Sequence, residues 1–307
     1  MKNRELLDLN AKLNSSIEEQ KLLVGQHWPD STLYVVATPI GNITDFSPRA
    51  QYVLSKVDLI AAEDTRHSGS LLRQFSISTP LIACHDHNES EAIEKILHVL
   101  SKGQCVALIS DAGTPLISDP GYKIVCHARE NGYQVSPIPG ACAMVTALSA
   151  AGMPTNRFSF EGFMPPKKSA RENYLESLVD YTGSLIFYES PHRILDAIGS
   201  MAEVLGRGRK VVLARELTKR YETFISGTLE SILEIVAEDK DQQRGEMVII
   251  VEGRQSVDVG SQEESADRIL SILLEECSVK QATALAVKIT GLKKNYLYQR
   301  AMDLSKE

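Results

Sequence analysis

The chain has 307 residues, 43% hydrophobic and 24% charged, an ordinary globular composition longer than one compact core needs, so two lobes and an appendage are expected. A formal net charge of -7 excludes a uniformly basic surface and confines any nucleic-acid footprint to local clusters. No apolar run is long enough to span a bilayer, and the charges scattered through MKNRELLDLNAKLNSS exclude a secretory signal, so a cytosolic protein is expected.

Residues 1–31 read as a polar, partly helical leader. A regular alternation follows. LYVVA (33–37) is a short apolar, β-branched run, as a buried parallel strand requires. Ser47-Pro48 opens a helix, with Ser as cap and Pro in the first turn. Strands are predicted at 59–62, 81–84, 105–109 and 134–138. Helices are predicted between them, one opened by the capping box Asn88-x-x-Glu91 and one following Asp119-Pro120. This order predicts a mostly parallel, doubly wound sheet. A small-residue helix over 141–151, ended by Gly152-x-Pro154, marks the boundary of a first lobe spanning 32–152.

The second lobe (153–254) opens with FSFEGFMPPKKSARE, where Ser169-x-x-Glu172 reads as a capping box. Strands are expected at 184–188, 210–215, 221–226 and 246–252, with helices started by Pro191 and capped by Thr228. Residues 254–264 read as polar linker. A helical tail (263–307) follows, with Ser278-x-x-Gln281 capping a helix whose apolar face carries Val279, Ala282, Leu285, Ala286 and Ile289.

Functional loops of open α/β sheets lie beyond the carboxyl ends of the strands. TPIGN (38–42) follows the first strand without the glycine spacing or Gly-Lys pair of a phosphate cradle. SDAGTPLISDPG (110–121) is longer than a turn requires. Its Asp111 and Asp119 make it acidic, which suits a ligand with hydroxyls and a positive centre. PGACA (139–143) puts small side chains at a helix start, where backbone can approach a flat ligand or pack closely on the sheet. YESPHR (188–193), ARELT (214–218) and RGEM (244–247) each bring Arg and Glu to a strand end. EDTRH (63–67) and HDHNE (85–89) carry further titratable groups, but two His at i, i+2 without a third ligand make a poor metal site. Cys84, Cys105, Cys126, Cys142 and Cys277 form no C-x-x-C pair and read as free thiols.

These segments, in this order, resemble the tetrapyrrole methylase superfamily, and more closely its branch that methylates the 2'-hydroxyl of a cytidine in 16S ribosomal RNA. The resemblance rests on ATPIGN, IAAEDTRHS, HDHNE, SDAGTPLISDPG, PGACA, FYESPHR, ARELTK and RGEMVIIVEG. It covers residues 33–254 and the tail. The long SDAGTPLISDPG loop and YESPHR favour the ribosomal branch; Cys142 stands where serine or proline is more usual. The resemblance implies an α/β, two-lobed tetrapyrrole-methylase-like fold with a small C-terminal helical module resembling a helix-turn-helix. It implies a homodimer, no metal, and S-adenosyl-L-methionine bound between the lobes by Pro39, Asp111, Gly113, Thr114, Cys142, Ala143, Tyr188, Glu189, Ala214, Gly245 and Glu246.

A ribose hydroxyl is a poor nucleophile until its proton leaves, so a general base is expected near it. Glu63, Asp64, His85, His87 and Glu189 are candidates of equal standing, with Arg66 gripping a phosphate. Contacts to ribosomal RNA or a ribosomal particle are expected from Lys167, Lys168 and Arg171, and from Lys293, Lys294 and Arg300 in the tail, where Tyr296 and Tyr298 sit beside the lysines. Arg207-Gly208-Arg209-Lys210 and Lys219-Arg220 are further basic clusters. Two other readings stand beside this one: a corrin or porphyrin methylase on the same fold, and a non-catalytic nucleic-acid-binding factor.

Overall fold

A computed structural model describes residues 28–85, 88–254 and 259–305, without the side chains of 259–265. Most of the leader, and His87, lie outside the described residues. The chain forms two compact units, one of residues 1–179 with 183–252, the other of 180–182 with 253–307.

The first unit begins with β1 (Thr32–Val36), α1 (Pro48–Lys56), β2 (Leu59–Ala62), α2 (Thr65–Gln74) and β3 (Leu81–Ala83). It continues with α3 (Glu89–Ser101), β4 (Val106–Ile109), α4 (Tyr122–Glu130), β5 (Gln134–Ile138) and α5 (Ala143–Ala150). The five strands form one sheet in the order β3-β2-β4-β1-β5, every pair parallel. Alternate residues of β4 explain the helices on both faces. Ala107 and Ile109 pack with Val53 and Leu54 of α1, whereas Val106 and Leu108 pack with Ile96 and Leu100 of α3 and Ile124 of α4. Ser47 caps α1 as expected, its Oγ accepting the Ala50 N–H at 3.1 Å. Asn88 does not form the predicted capping box. Its side chain turns backwards, accepting the His85 N–H and donating to the Ala83 carbonyl, both at 2.9 Å, and so ties the end of β3 to α3.

A second sheet follows, from β6 (Phe158–Phe163), α6 (Lys168–Glu176), β7 (Ser184–Glu189), α7 (Ile194–Leu205), β8 (Lys210–Arg215), β9 (Thr223–Thr228), α8 (Leu229–Glu238) and β10 (Met247–Val251). Its order is β6-β7-β10-β8-β9. Only β6 and β7 are parallel; β10 runs antiparallel to both β7 and β8. FSFEGF, for which no strand is predicted, forms a full strand; its Gly162 sits at φ +64° where the register with β7 shifts. Thr228 caps α8 with Ser231 in a reciprocal pair. Ser169 caps nothing, because α6 has already begun at Lys168. Ile40 and Leu217 from loops, and Ala147 and Leu148 from α5, pack on Ile186, Ala214, Val248 and Ile250 of the second sheet, so an apolar layer joins the two sheets.

Arg171 is corrected by the structure. It is 3% exposed, its Nε donating to Ser200 Oγ at 2.9 Å and Nη1 to the Pro166 carbonyl, so it braces α6 against α7 and cannot meet RNA. Arg207 and Arg209 are likewise engaged, the first with Glu230 and the second with the carbonyls of Leu205, Val179 and Glu252.

The second unit contains α9 (Val259–Glu276), α10 (Val279–Thr290) and α11 (Lys294–Leu304). Helix α9 begins inside the stretch read as linker. The module packs around Ala266, Leu270, Ala286, Leu297 and Ala301. Leu285 and Ile289, read as core, are 40% and 61% exposed; Thr283 is buried instead, its hydroxyl satisfied by the Val279 carbonyl at 2.7 Å. Arg300 forms a two-pronged pair with Asp267, so its charge is balanced inside the module, whereas Lys293 and Lys294 are exposed.

Gly140 follows β5, and a Cβ there would lie 2.8 Å from the Cβ of Ala37 at the end of β1. Neither atom can swing away, so Gly140→Ala must part the two strand ends. It is expected to cost about 1–3 kcal/mol, read as a lower urea midpoint with an unchanged slope.

Candidate active site

The order β2-β4-β1-β5 contains a reversal. From β1 the chain crosses β4 to reach β2, and from β4 it crosses β1 to reach β5. The loops leaving β1 and β4 therefore part at their carboxyl ends and open a crevice. An isolated bridge holds its floor: the Thr38 N–H donates to the Gly113 carbonyl at 2.8 Å, and the Gly113 N–H to the Thr38 carbonyl at 3.0 Å. Gly113 has φ +83°, and a Cβ would press on Ile40 at 3.2 Å, so glycine is needed for the bridge to close. Further along the loop Leu116 and Ser118 hold left-handed backbone at φ 74° and 67°. This strained stretch is held by its surroundings; the Thr114 hydroxyl, for example, donates to the Ala141 carbonyl at 3.0 Å.

The second sheet meets this crevice with the ends of β7, β8 and β10. Because β10 is antiparallel to its neighbours, Met247 lies opposite both Glu189 at the end of β7 and Arg215 at the end of β8. That register brings the three Arg- and Glu-bearing motifs together. The Tyr188 hydroxyl accepts the Met144 N–H at 3.0 Å, fastening β7 to the start of α5, and burial pushes its phenol well above the usual range.

Between the sheets lies a cavity of about 310 Å³. Its walls include Gly113, Thr114, Cys142, Ala143, Tyr188, Glu189 and Glu246 from the sequence reading. They also include Ile40, Ile117, Asp119, Phe163, Leu217 and Val248. Three acidic residues line it, Asp119, Glu189 and Glu246, and among the described residues none of its lining is Lys, Arg or His. Glu189 has no exposed side-chain surface; it accepts the Ser190 N–H at 2.8 Å and pairs with Arg193 at 3.3 Å. Burial raises its pKa even against the nearby Arg193 and Arg171. Burial raises that of Asp119 too, reinforced by Asp111. Such walls suit a ligand that is part apolar and part cationic, and oppose a phosphate.

A second cavity of about 760 Å³ shares Ile40, Ala112 and Glu246 with the first. Pro39 and Asp111 line this one, with His67, Ser70 and Gln74 of α2 and with Thr218, Lys219 and Arg220 of the β8–β9 loop. Among the described lining residues, the cationic groups thus gather on this side of the shared wall.

The remaining predicted residues are placed as follows. Ala214 is fully buried in the layer between the sheets, and Gly245 is a turn residue at φ +87° where a Cβ would strike the Glu216 carboxylate. Gly245 borders a separate groove beside His192 and Arg244. Glu63, Asp64, Arg66 and His85 stand at the ends of β2 and β3 and line neither of the two cavities. Asp64 caps α2 and pairs with Arg66 at 3.0 Å; the Arg66 side chain and backbone N–H hold its carboxyl down to about 2. The Asp64 N–H donates to Asp111 Oδ1 at 3.0 Å, which links this loop to the second cavity. Among the described residues no group of His, Cys, Asp and Glu could hold a metal. Phe163, Leu217 and Val248 went unread as site residues because nothing in an apolar side chain distinguishes a cavity wall from a core; the strand pattern of FSFEGF was the one available signal for Phe163.

A family model described as tetrapyrrole (corrin/porphyrin) methylases matches residues 32–233, and one described as the RsmI C-terminal HTH domain matches 260–305. A Pseudomonas aeruginosa protein named ribosomal RNA small subunit methyltransferase I is 52% identical over 274 residues, 89% of this chain and 97% of the relative. The protein of that name from Escherichia coli O157:H7 is 51% identical over 275 residues, 88% and 94% of the two chains. Among solved structures, uroporphyrin-III-C-methyltransferase from Thermus thermophilus superposes with a TM-score of 0.52 at 16% identity, over 72% of this chain and 94% of that one. A cobalt precorrin-4 methyltransferase superposes with a TM-score of 0.55 at 14% identity, over 72% and 95%; both likenesses concern the fold. The chain belongs to the tetrapyrrole methylases and, within them, to the ribosomal RNA small subunit methyltransferase I family.

Proposed function

We propose that this chain transfers a methyl group from S-adenosyl-L-methionine to the ribose 2'-hydroxyl of a cytidine in 16S ribosomal RNA. The observation that carries this reading is the pair of adjoining cavities, one lined, among the described residues, by acidic and apolar groups without a cation, the other bearing Lys219, Arg220 and His67. The first fits a donor with an adenosine, an amino group and a sulfonium. The second fits the anionic backbone and sugar of a nucleotide, which must leave its stack to reach the shared wall. The relatives' printed name supports the substrate class.

Bound S-adenosyl-L-methionine supplies an electrophilic methyl carbon on a positively charged sulfur. Asp119, Glu189 and Glu246 would hold that group, and the cavity walls would align the ribose oxygen against it. Transfer of that methyl to the ribose oxygen would break its bond to sulfur, and the hydroxyl proton would pass to an acceptor among this chain's residues. Glu189 is a proton acceptor candidate among the residues lining the first cavity, and burial raises its pKa. Asp64, held near 2 and committed to Arg66, is better fitted to shape the substrate side. Glu63, His85 and His87 remain candidates from the neighbouring strand ends. The family resemblance further implies a two-fold dimer acting in the cytosol beside its ribosomal substrate.

Nuclease digestion and mass spectrometry of small-subunit RNA, after incubation with the chain and S-adenosyl-L-methionine, should reveal 2'-O-methylcytidine. Methyl appearing on a base, or only on a tetrapyrrole, overturns the assignment. Calorimetric titration should show Asp119→Asn weakening donor binding about 10-fold or more, the worth of one charged hydrogen bond. The sign with pH follows from the raised pKa: the wild-type carboxylate gains its proton at a higher pH than the ordinary 3.8, so donor affinity falls as pH drops toward that value, and Asp119→Asn should flatten the dependence. Lys293→Glu with Lys294→Glu is expected to raise KM for the ribosomal substrate and leave donor affinity unchanged; an unaltered KM removes the tail from RNA docking.

A further inference from the structure

The loop between β8 and β9 is held more firmly than a connection requires. Glu216 and Thr218 both occupy left-handed backbone, at φ 48° and 65°. Neither is glycine, so the surroundings must enforce the conformation. The Glu222 carboxylate accepts the Thr218 N–H at 2.6 Å, and the Lys219 ammonium bridges Glu216 and Glu246, each at 2.9 Å. The first lobe takes part, since the Asn42 N–H donates to the Thr218 hydroxyl at 3.1 Å. What this clamped loop presents is Arg220, on the wall of the larger cavity, and next to it Tyr221. Tyr221 is 65% exposed, although the Arg220 guanidinium lies 5.6 Å from its ring centre. The exposed ring, on a loop that cannot relax to bury it and next to a residue of the cavity wall, is available to a ligand in that cavity. With the guanidinium lying over the ring, the ligand that matches the pair is a nucleobase, whose π-face stacks on the ring's exposed surface and whose neighbouring phosphate pairs with the guanidinium.

We propose that Tyr221 and Arg220 form a stacking platform for an unpaired base adjacent to the methylated nucleotide. The inference rests on the reading of this chain as an RNA methyltransferase. The platform gives the RNA strand a fixed position from which the target ribose enters the cavity beside Lys219, and the loop's rigidity lowers the entropy lost on binding.

The test compares the full chain with Tyr221→Ala, Tyr221→Phe and Tyr221→Trp. Each is measured for kcat and KM of methyl transfer to small-subunit particles from cells lacking the protein, and for donor affinity by calorimetry. Tyr221→Ala should raise KM about 5- to 100-fold, the range of one lost base–aromatic stack, with donor affinity unchanged. Tyr221→Phe and Tyr221→Trp should stay near wild type, because the stack uses the ring and not the hydroxyl. Equal KM for Tyr221→Ala and wild type overturns the platform. So does an equal loss in Tyr221→Phe, which assigns the effect to a hydrogen bond. So does a change in sedimentation mass on Tyr221→Ala, which assigns the ring to a contact with a second copy of the chain. A wild-type chain that transfers no methyl to these particles removes the RNA reading itself, and the platform with it; an active wild type with an indifferent Tyr221 removes the platform alone.

Discussion

Two hydrogen bonds between Thr38 and Gly113 close the floor of the crevice, and the rest of the site depends on them. Parallel strands deliver their loops at one end of the sheet, but β1 and β4 send their chains in opposite directions, which would leave their ends splayed. The bridge stitches the two loops where they part. It sets Ile40 against the second sheet and turns 110–121 back over the opening, through a series of left-handed positions that only surrounding contacts can enforce. With Tyr188 fastened to α5 from the other sheet, the crevice is walled by both sheets.

Charge is then sorted across that frame. A carboxylate in a low-dielectric wall costs free energy unless something cationic answers it. Glu189 is answered by Arg193 and, further away, by Arg171, both on the protein side; Asp119 has no such partner, and burial raises its pKa. Cations are held on the far side of the shared residues, where Lys219 ties Glu216 to Glu246 and Arg220 faces the larger cavity. A chain with net charge -7 thus presents a local cationic surface beside an acidic pocket. The two adjoin along the shared residues Ile40, Ala112 and Glu246.

Much of this was legible beforehand. The β-branched runs gave nearly every strand to within a residue or two, since a strand buried on both faces has to be apolar throughout. The loop 110–121 announced itself by length and by its two aspartates. Arg171 shows the limit: beside Lys167 and Lys168 it reads as one basic patch, yet a helix turns each successive side chain by about 100°, and this one points at Ser200. Asn88 shows another, because a cap and a loop tie use the same amide, and only the position of His85 decides between them. In the tail, Leu285 and Ile289 follow the apolar period of α10 but lie outside the contact made by α9 and α11.

The sequence by itself determined which segments are strands, which loops carry charge and which family the motifs resemble, because these follow from local periodicity and from residue types at fixed spacing. Only the tertiary structure decided which charges face a cavity and which brace the interior. It moved Pro39 and Asp111 to the second cavity, withdrew Ala214 into the core, and brought Phe163, Leu217 and Val248 to the cavity wall. The physical reason is strand direction: the antiparallel course of β10 places Met247 beside Glu189, residues 58 positions apart, and no local property of either segment encodes that meeting.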